Sequence, residues 1–409
     1  KSYLLNIYIE LSKKIINENR DDSQEIQNKS VEYALKAKEY ITTNDDKIQC
    51  DSYLAWLYDK IGAYDVAEEI LKSVISAGRD DSWVHSELGY CLTELNKLEE
   101  ALEHYFRAKE LGRNDTWIHS QIGWTYRLLG KYQEALDINF KAQELGQNDA
   151  WINIEIGICY KELENYEEAI KYYLIANKIN KGKNVWLLSE LAWTYGVIGN
   201  YEEELKYLEK AKKLGRKDSW IKAEYGKVYQ KLEQYDKALR YYNKAKKLGQ
   251  NDAWINVQIG RCYKGLEKYD KALKNYLEAE KKEKNDAWLL SEIAWLYGRL
   301  EEPQPEEALK YLNIAKELGR DDQWLHSEIG YQLGYNPEKR KESLEHFDRA
   351  MELGRNDAWI FEMRGIVLLD LNRYQEALDS FRNAYDLNSD SWYLYSMGRC
   401  LRGLERYEE

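Results

Sequence analysis

Ten tryptophans, Trp83, Trp117, Trp151, Trp186, Trp220, Trp254, Trp288, Trp324, Trp359 and Trp392, recur at intervals of 33 to 36 residues. A fixed period of that length marks a supersecondary unit that cannot bury its own apolar face and must stack on copies of itself. The spacing predicts a tandem-repeat molecule with complete units from about Ile48 to Asp390 and a further one beginning at Ser391. Such an architecture argues against an enzyme before any motif is read.

Let position 1 be the residue just before each marker tryptophan. Position 8 is then Gly or Ala in every unit, as in Ala55, Gly89, Gly157, Ala192 and Gly260, which marks a close approach of two backbones. Alanines recur at position 20 (Ala101, Ala135, Ala169) and at position 27 (Ala108, Ala142, Ala176), where one helix can nest against the next. In Gly112-Arg113-Asn114-Asp115 the glycine suits a left-handed helix C-cap and the aspartate an N-cap for the following helix. Each unit therefore reads as helix A, a short turn, helix B and a capped turn. Pro303, Pro305 and Pro337 all fall in two insertions between helices A and B, where a missing N–H does no harm. No stretch alternates with period two over strand length, so essentially no sheet is expected.

One unit reads Ile156-Gly157 at positions 7 and 8, then Tyr160, Tyr166, Ala169, Tyr173 and Ala176. This pattern resembles the tetratricopeptide repeat (TPR) family, and the resemblance covers about residues 48–409. There are two departures. The tryptophan stands at position 2 rather than 4, and Arg or Gln mostly replaces the proline usual at position 32. The resemblance implies an all-α fold, a right-handed superhelical solenoid of antiparallel helix pairs, in which positions 2, 5, 9, 12 and 13 of helix A line a concave groove. Residues 1–47 follow the period poorly and read as a degenerate N-terminal capping pair. Its first helix is marked by Leu4, Leu5, Ile7, Tyr8, Leu11, Ile15 and Ile16, and its second by Val31, Ala34 and Ala37. The sequence breaks off in mid-repeat after Tyr407, at Glu409, so we expect a fragment whose last helix frays or pairs with another molecule.

Composition narrows the function. A net charge of −12 argues against general affinity for nucleic acid or anionic membranes, and no apolar run approaches the length of a membrane span. Cys91, Cys159, Cys262 and Cys400 share position 10 beside the core stripe and read as small apolar fillers. Free thiols favour a reducing, cytoplasmic setting. His85, His119 and His326 share position 4 on separate helices, too far apart for one metal, and neither a metal nor a cofactor is expected.

The groove positions are not uniformly polar. Position 9 carries Trp56, Tyr90, Trp124, Trp193, Lys227, Arg261, Trp295 and Tyr331, position 12 adds Arg127, Lys161 and Lys264, and position 13 adds Arg299. The candidate ligand-binding residues are Tyr90, Trp124, Arg127, Lys161, Trp193, Lys227, Arg261, Lys264, Trp295, Arg299 and Tyr331. Small residues at position 5, such as Ser86, Ser120 and Ser291, would leave room for a ligand. The position-2 tryptophans recur almost without variation and read mainly as structural wedges. Trp151–Lys178 matches Trp254–Lys281 at more than half its positions, which points to a duplicated block of three repeats and two similar subsites. The expected function is a protein–protein interaction scaffold that binds a peptide segment, acidic where it meets the Arg and Lys residues, with self-association through the C-terminal end as a further expectation. The alternative is a sensor solenoid that controls an effector domain outside this sequence.

Overall fold

The computed structural model describes residues 2–18, 24–406 and 408. Among them every regular element is helical: twenty-three α-helices and two short 3-10 turns. The aspartates expected as N-caps begin the A helices. Asp81 accepts from the Val84 N–H and starts Ser82–Glu94, and Asp149 accepts from the Ile152 N–H and starts Ala150–Glu162. Helix B ends where a glycine takes the left-handed region, as Gly112 does at φ 97°. Pro305 occupies the first turn of Pro305–Glu317, where the lost N–H would have had no helical partner.

The chain divides into two compact units, Lys1–Leu214 and Gly215–Glu409. In the first, helices Ser2–Glu18 and Gln24–Ala37 bury Leu5, Ile9, Val31, Ala34 and Ala37 against Cys50, Leu54 and Leu57 of helix Asn44–Lys60. That last helix starts ahead of the expected Ile48, because Thr43 and Asp46 form a reciprocal capping box. The Ile16 side chain, and the end of the chain at Tyr407 and Glu409, lie outside the described residues. In the second unit the core clusters pair helix B of one repeat with helix A of the next, as Ala272 and Tyr276 do with Leu289 and Ile293.

Position 8 is coupled to position 24 within each repeat. A Cβ on Gly89 would stand 2.7 Å from the Tyr105 ring, one on Gly157 2.5 Å from Tyr173, and one on Gly365 2.9 Å from Phe381. Tyr105, Tyr173, Tyr242 and Tyr276 are wholly buried, so glycine at position 8 is the space in which an aromatic ring lies. Where position 8 is alanine, position 24 is leucine: Ala55 with Leu71, Ala192 with Leu208, and Ala294 with Leu312, all buried. Asn139 departs from the rule. It lies buried under Gly123, and neither atom of its amide has a hydrogen-bond partner among the described residues.

All five cysteines are free and buried. Burial pushes the thiols of Cys159 and Cys262 up to about 12 and those of Cys50 and Cys400 up to about 11.

Candidate functional site

The cations expected to face a ligand are held by glutamates at position 6 of the following repeat. In the first unit Arg127 Nε lies 2.5 Å from Glu155 and Lys161 Nζ lies 3.1 Å from Glu190. In the second, Lys264 reaches Glu292 at 2.6 Å and Arg299 reaches Glu328 at 2.6 Å. These bonds span 28 or 29 residues, one helix A to the next. Lys227 bonds within its own helix to Glu224 at 2.8 Å. Glu155 is buried enough that desolvation holds its carboxyl above the usual range although Arg127 draws it down. At the first interface Asp59 holds position 12, so two carboxylates take the places that a cation and a carboxylate hold elsewhere. Burial, reinforced by Asp59, pushes Glu87 up to about 7.

The aromatics gather around these pairs. In the second unit the Trp295 ring is approached by Lys264 at 4.1 Å and by Arg299 at 4.6 Å, and Arg299 also lies 5.0 Å from the Tyr331 ring. Four candidate residues thus form one stack of alternating cation and π-face. Next to it, Tyr331, Tyr335, Phe347, Met363 and Ile366 line an apolar cleft of 310 Å³. Arg261 is exposed and covers Trp288 at 4.6 Å. In the first unit Lys161 lies 5.5 Å from the half-buried Trp193. Tyr90 meets Trp117 at 6.5 Å and Tyr64 edge-on at 6.2 Å. Trp124 is half-buried and has no ring or cation neighbour of this kind among the described residues. At Tyr90, Arg261 and Tyr331 position 9 lies beside the marker tryptophan of the next repeat, as Tyr331 does beside Trp359 at 5.9 Å.

Three of the small residues at position 5, Ser52, Ser86 and Ser120, do not leave room for a ligand. Ser52 accepts from Arg79 at 2.7 Å, Arg113 bonds Ser86, and Ser120 bonds Gln147, so the inter-repeat turn itself fills the space. The marker tryptophans also divide into two groups. Arg79, Arg113, Arg216, Arg320 and Arg355 lie 3.9 to 4.6 Å over Trp83, Trp117, Trp220, Trp324 and Trp359. No such arginine precedes Trp151, Trp186, Trp254, Trp288 or Trp392, and these are 37 to 44% exposed. They are surface as well as wedge. Sequence reasoning missed both the position-6 glutamates and the corner arginines. The signals were there: Glu or Gln recurs at position 6, and Arg stands four residues before some tryptophans and Gln before others.

His85 and His326 each pair with a histidine of helix B. His85 Nδ1 lies 2.8 Å from His104 Nδ1, and His326 Nδ1 lies 2.9 Å from His346 Nδ1, with Asp80 and Asp321 on the far nitrogens. Among the described residues no group of three potential ligands could hold a metal ion, and no helix is long and apolar enough to cross a membrane.

Stacked helix pairs with aspartate-capped A helices and a mixed aromatic and polar face define a helical-repeat protein. A family model described as tetratricopeptide repeat matches residues 143–182, 221–252 and 255–281. These segments are tetratricopeptide repeats, and proteins built from them generally act as non-catalytic scaffolds for protein–protein interaction. No curated protein matches it. Among solved structures it is similar to a tetratricopeptide repeat protein from Parabacteroides merdae, at 17% identity over 64% of this chain and 99% of that one with a TM-score of 0.46. It is also similar to YrrB, a TPR protein with an unusual peptide-binding site, at 24% identity over 46% of this chain and 95% of that one with a TM-score of 0.38. The Cut9–Hcn1 hetero-tetramer of the APC/C matches at 12% identity over 100% of this chain and 93% of that one, with a TM-score of 0.43.

Proposed function

We propose that this chain is an interaction scaffold that binds an extended peptide segment of a partner protein along the exposed face of its A helices. The observation that carries the reading is the Lys264–Trp295–Arg299–Tyr331 stack beside its 310 Å³ apolar cleft. Ion pairs with Glu292 and Glu328 fix both cations, so the rings between them are held in place before any ligand arrives. A partner side chain entering the cleft would bury aromatic surface, the usual source of hot-spot energy. The same ion pairs neutralise the cations that would have favoured an acidic peptide, so apolar and aromatic contact dominates this reading.

Among the other candidates, Lys227 and Arg261 extend the face over neighbouring repeats of the second unit, and Tyr90, Trp124, Arg127, Lys161 and Trp193 form the corresponding face of the first. At the far end Leu394 and Tyr395 are 50% and 64% exposed, and nothing lies within 4 Å of where a Cβ on Gly398 would stand. The test is selection from a random peptide library on the immobilised protein, followed by titration of the selected peptides. Trp295→Ala with Tyr331→Ala should weaken them at least tenfold, about 1.4 kcal/mol or more. Unchanged affinity would move the site off this face.

A further inference from the structure

Five corners of the chain hold an arginine in the same way. Each guanidinium lies 3.9 to 4.6 Å over the marker indole, and each Nε bonds Oδ2 of the N-cap aspartate, from 2.7 Å at Asp81 to 3.1 Å at Asp218. An indole face and a carboxylate oxygen with a guanidinium between them make a compact arginine receptor, satisfied here by the chain itself.

Two corners keep the receptor and lack the arginine. Gln147 and Gln250 stand where the others have Arg, before Trp151 and Trp254. Asp149 and Asp252 still cap their helices through Oδ1, at 2.9 Å to Ile152 N and 2.8 Å to Ile255 N. On the other oxygen, Asp149 has only a long 3.3 Å bond from Gln147, and Asp252 Oδ2 has no hydrogen-bond partner among the described residues. Gln250 Oε1 is buried and has no hydrogen-bond partner among the described residues, because position 5 of the preceding repeat is Ala223 where others have Ser. The indoles of Trp151 and Trp254 are 38% and 40% exposed.

These corners occupy equivalent places in the two matching blocks, one in each compact unit. We propose that the Trp151 and Trp254 corners are two subsites in corresponding places, each accepting an arginine side chain of a partner polypeptide, with the Trp254 corner the more open because Asp149 Oδ2 and Gln147 Oε1 already hold bonds from Gln147 and Ser120. The proposal rests on the peptide-binding reading and names the partner's chemistry. Arginine fits better than lysine because a planar guanidinium can stack on the ring and donate in its own plane to the aspartate and to Gln250 Oε1. The overall charge of −12 favours such a basic partner, and the cation beside the Trp254 corner, Lys282, is held by Asn251 O and Oδ1 at 2.6 Å.

The experiment compares random-peptide selection on wild type and on Gln147→Arg/Gln250→Arg. This variant recreates a corner that the chain uses five times, and circular dichroism checks that it folds. Wild type should select arginine-containing peptides. The variant should bind them about tenfold more weakly, since its own arginines fill the slots, and replacing the peptide arginine by lysine should weaken binding to wild type. Peptides selected without arginine, or bound equally by the variant, would overturn the arginine subsites and leave the peptide-binding reading standing. Failure to select any peptide would overturn both.

Discussion

Glu87 shows how a single residue can depart from the logic of its repeat. Its counterparts Glu155, Glu292 and Glu328 each receive a cation from the preceding helix A, whereas Glu87 is raised by burial and then by Asp59, so that its carboxyl moves from 4.5 to about 7. A raised carboxyl favours the protonated folded state. Its contribution is therefore complete below about 4.5 and is lost as pH rises through about 7. Glu87→Gln keeps the neutral shape, and glutamine already occupies this position at Gln121 and Gln258. It should leave stability at pH 5 nearly unchanged and raise it at pH 8 by about 1–3 kcal/mol. Urea melts at both values check this, and an equal effect at the two would discount the carboxylate. None of it was legible in advance, because the partner of Glu87 lies a full repeat away in sequence. The capping aspartates and C-cap glycines were legible, because their partners lie within three or four residues.

At the scale of the element, the helix pair behaves as a lock with two keys. Glycine at position 8 accepts a ring at position 24, and alanine there accompanies leucine, as in Ala192 and Leu208. Gly89→Ala should cost about 1–3 kcal/mol, because its methyl would stand 2.7 Å from Tyr105. Tyr105→Leu alone should also destabilise, by leaving a void. The double variant recreates a pairing the chain uses elsewhere and should be less destabilised than the sum, with a coupling of about 1 kcal/mol or more in denaturant titrations. Strict additivity would show that the two positions do not meet. The small residue and the aromatic were each visible in the sequence, and so was their period. Their mutual exclusion was not, since it depends on which side chain fills the space a Cβ would take. The position-5 serines misled for the same reason: smallness was read as room for a ligand when the space belongs to the turn of the next repeat.

For the whole molecule, the helical class followed from the period of the tryptophans alone, because a repeat that cannot bury its own face leaves few architectures open. The candidate face was legible in its residue types and illegible in its charge, since every cation assigned to it except Arg261 ends in an ion pair. Stability in a stacked array is a sum of local and neighbour terms, so different repeats open at different rates. Cys50, Cys91, Cys159, Cys262 and Cys400 are all buried, and the shift of their thiols away from neutrality leaves little reactive thiolate. Each is a clock already set into its own repeat. Under native conditions a maleimide should modify the five at different rates, each set by the opening of the repeat that buries it. Mass spectrometry of the labelled peptides would read five local opening rates from one unmodified sample, and identical rates at all five would mean that the chain opens as a single unit.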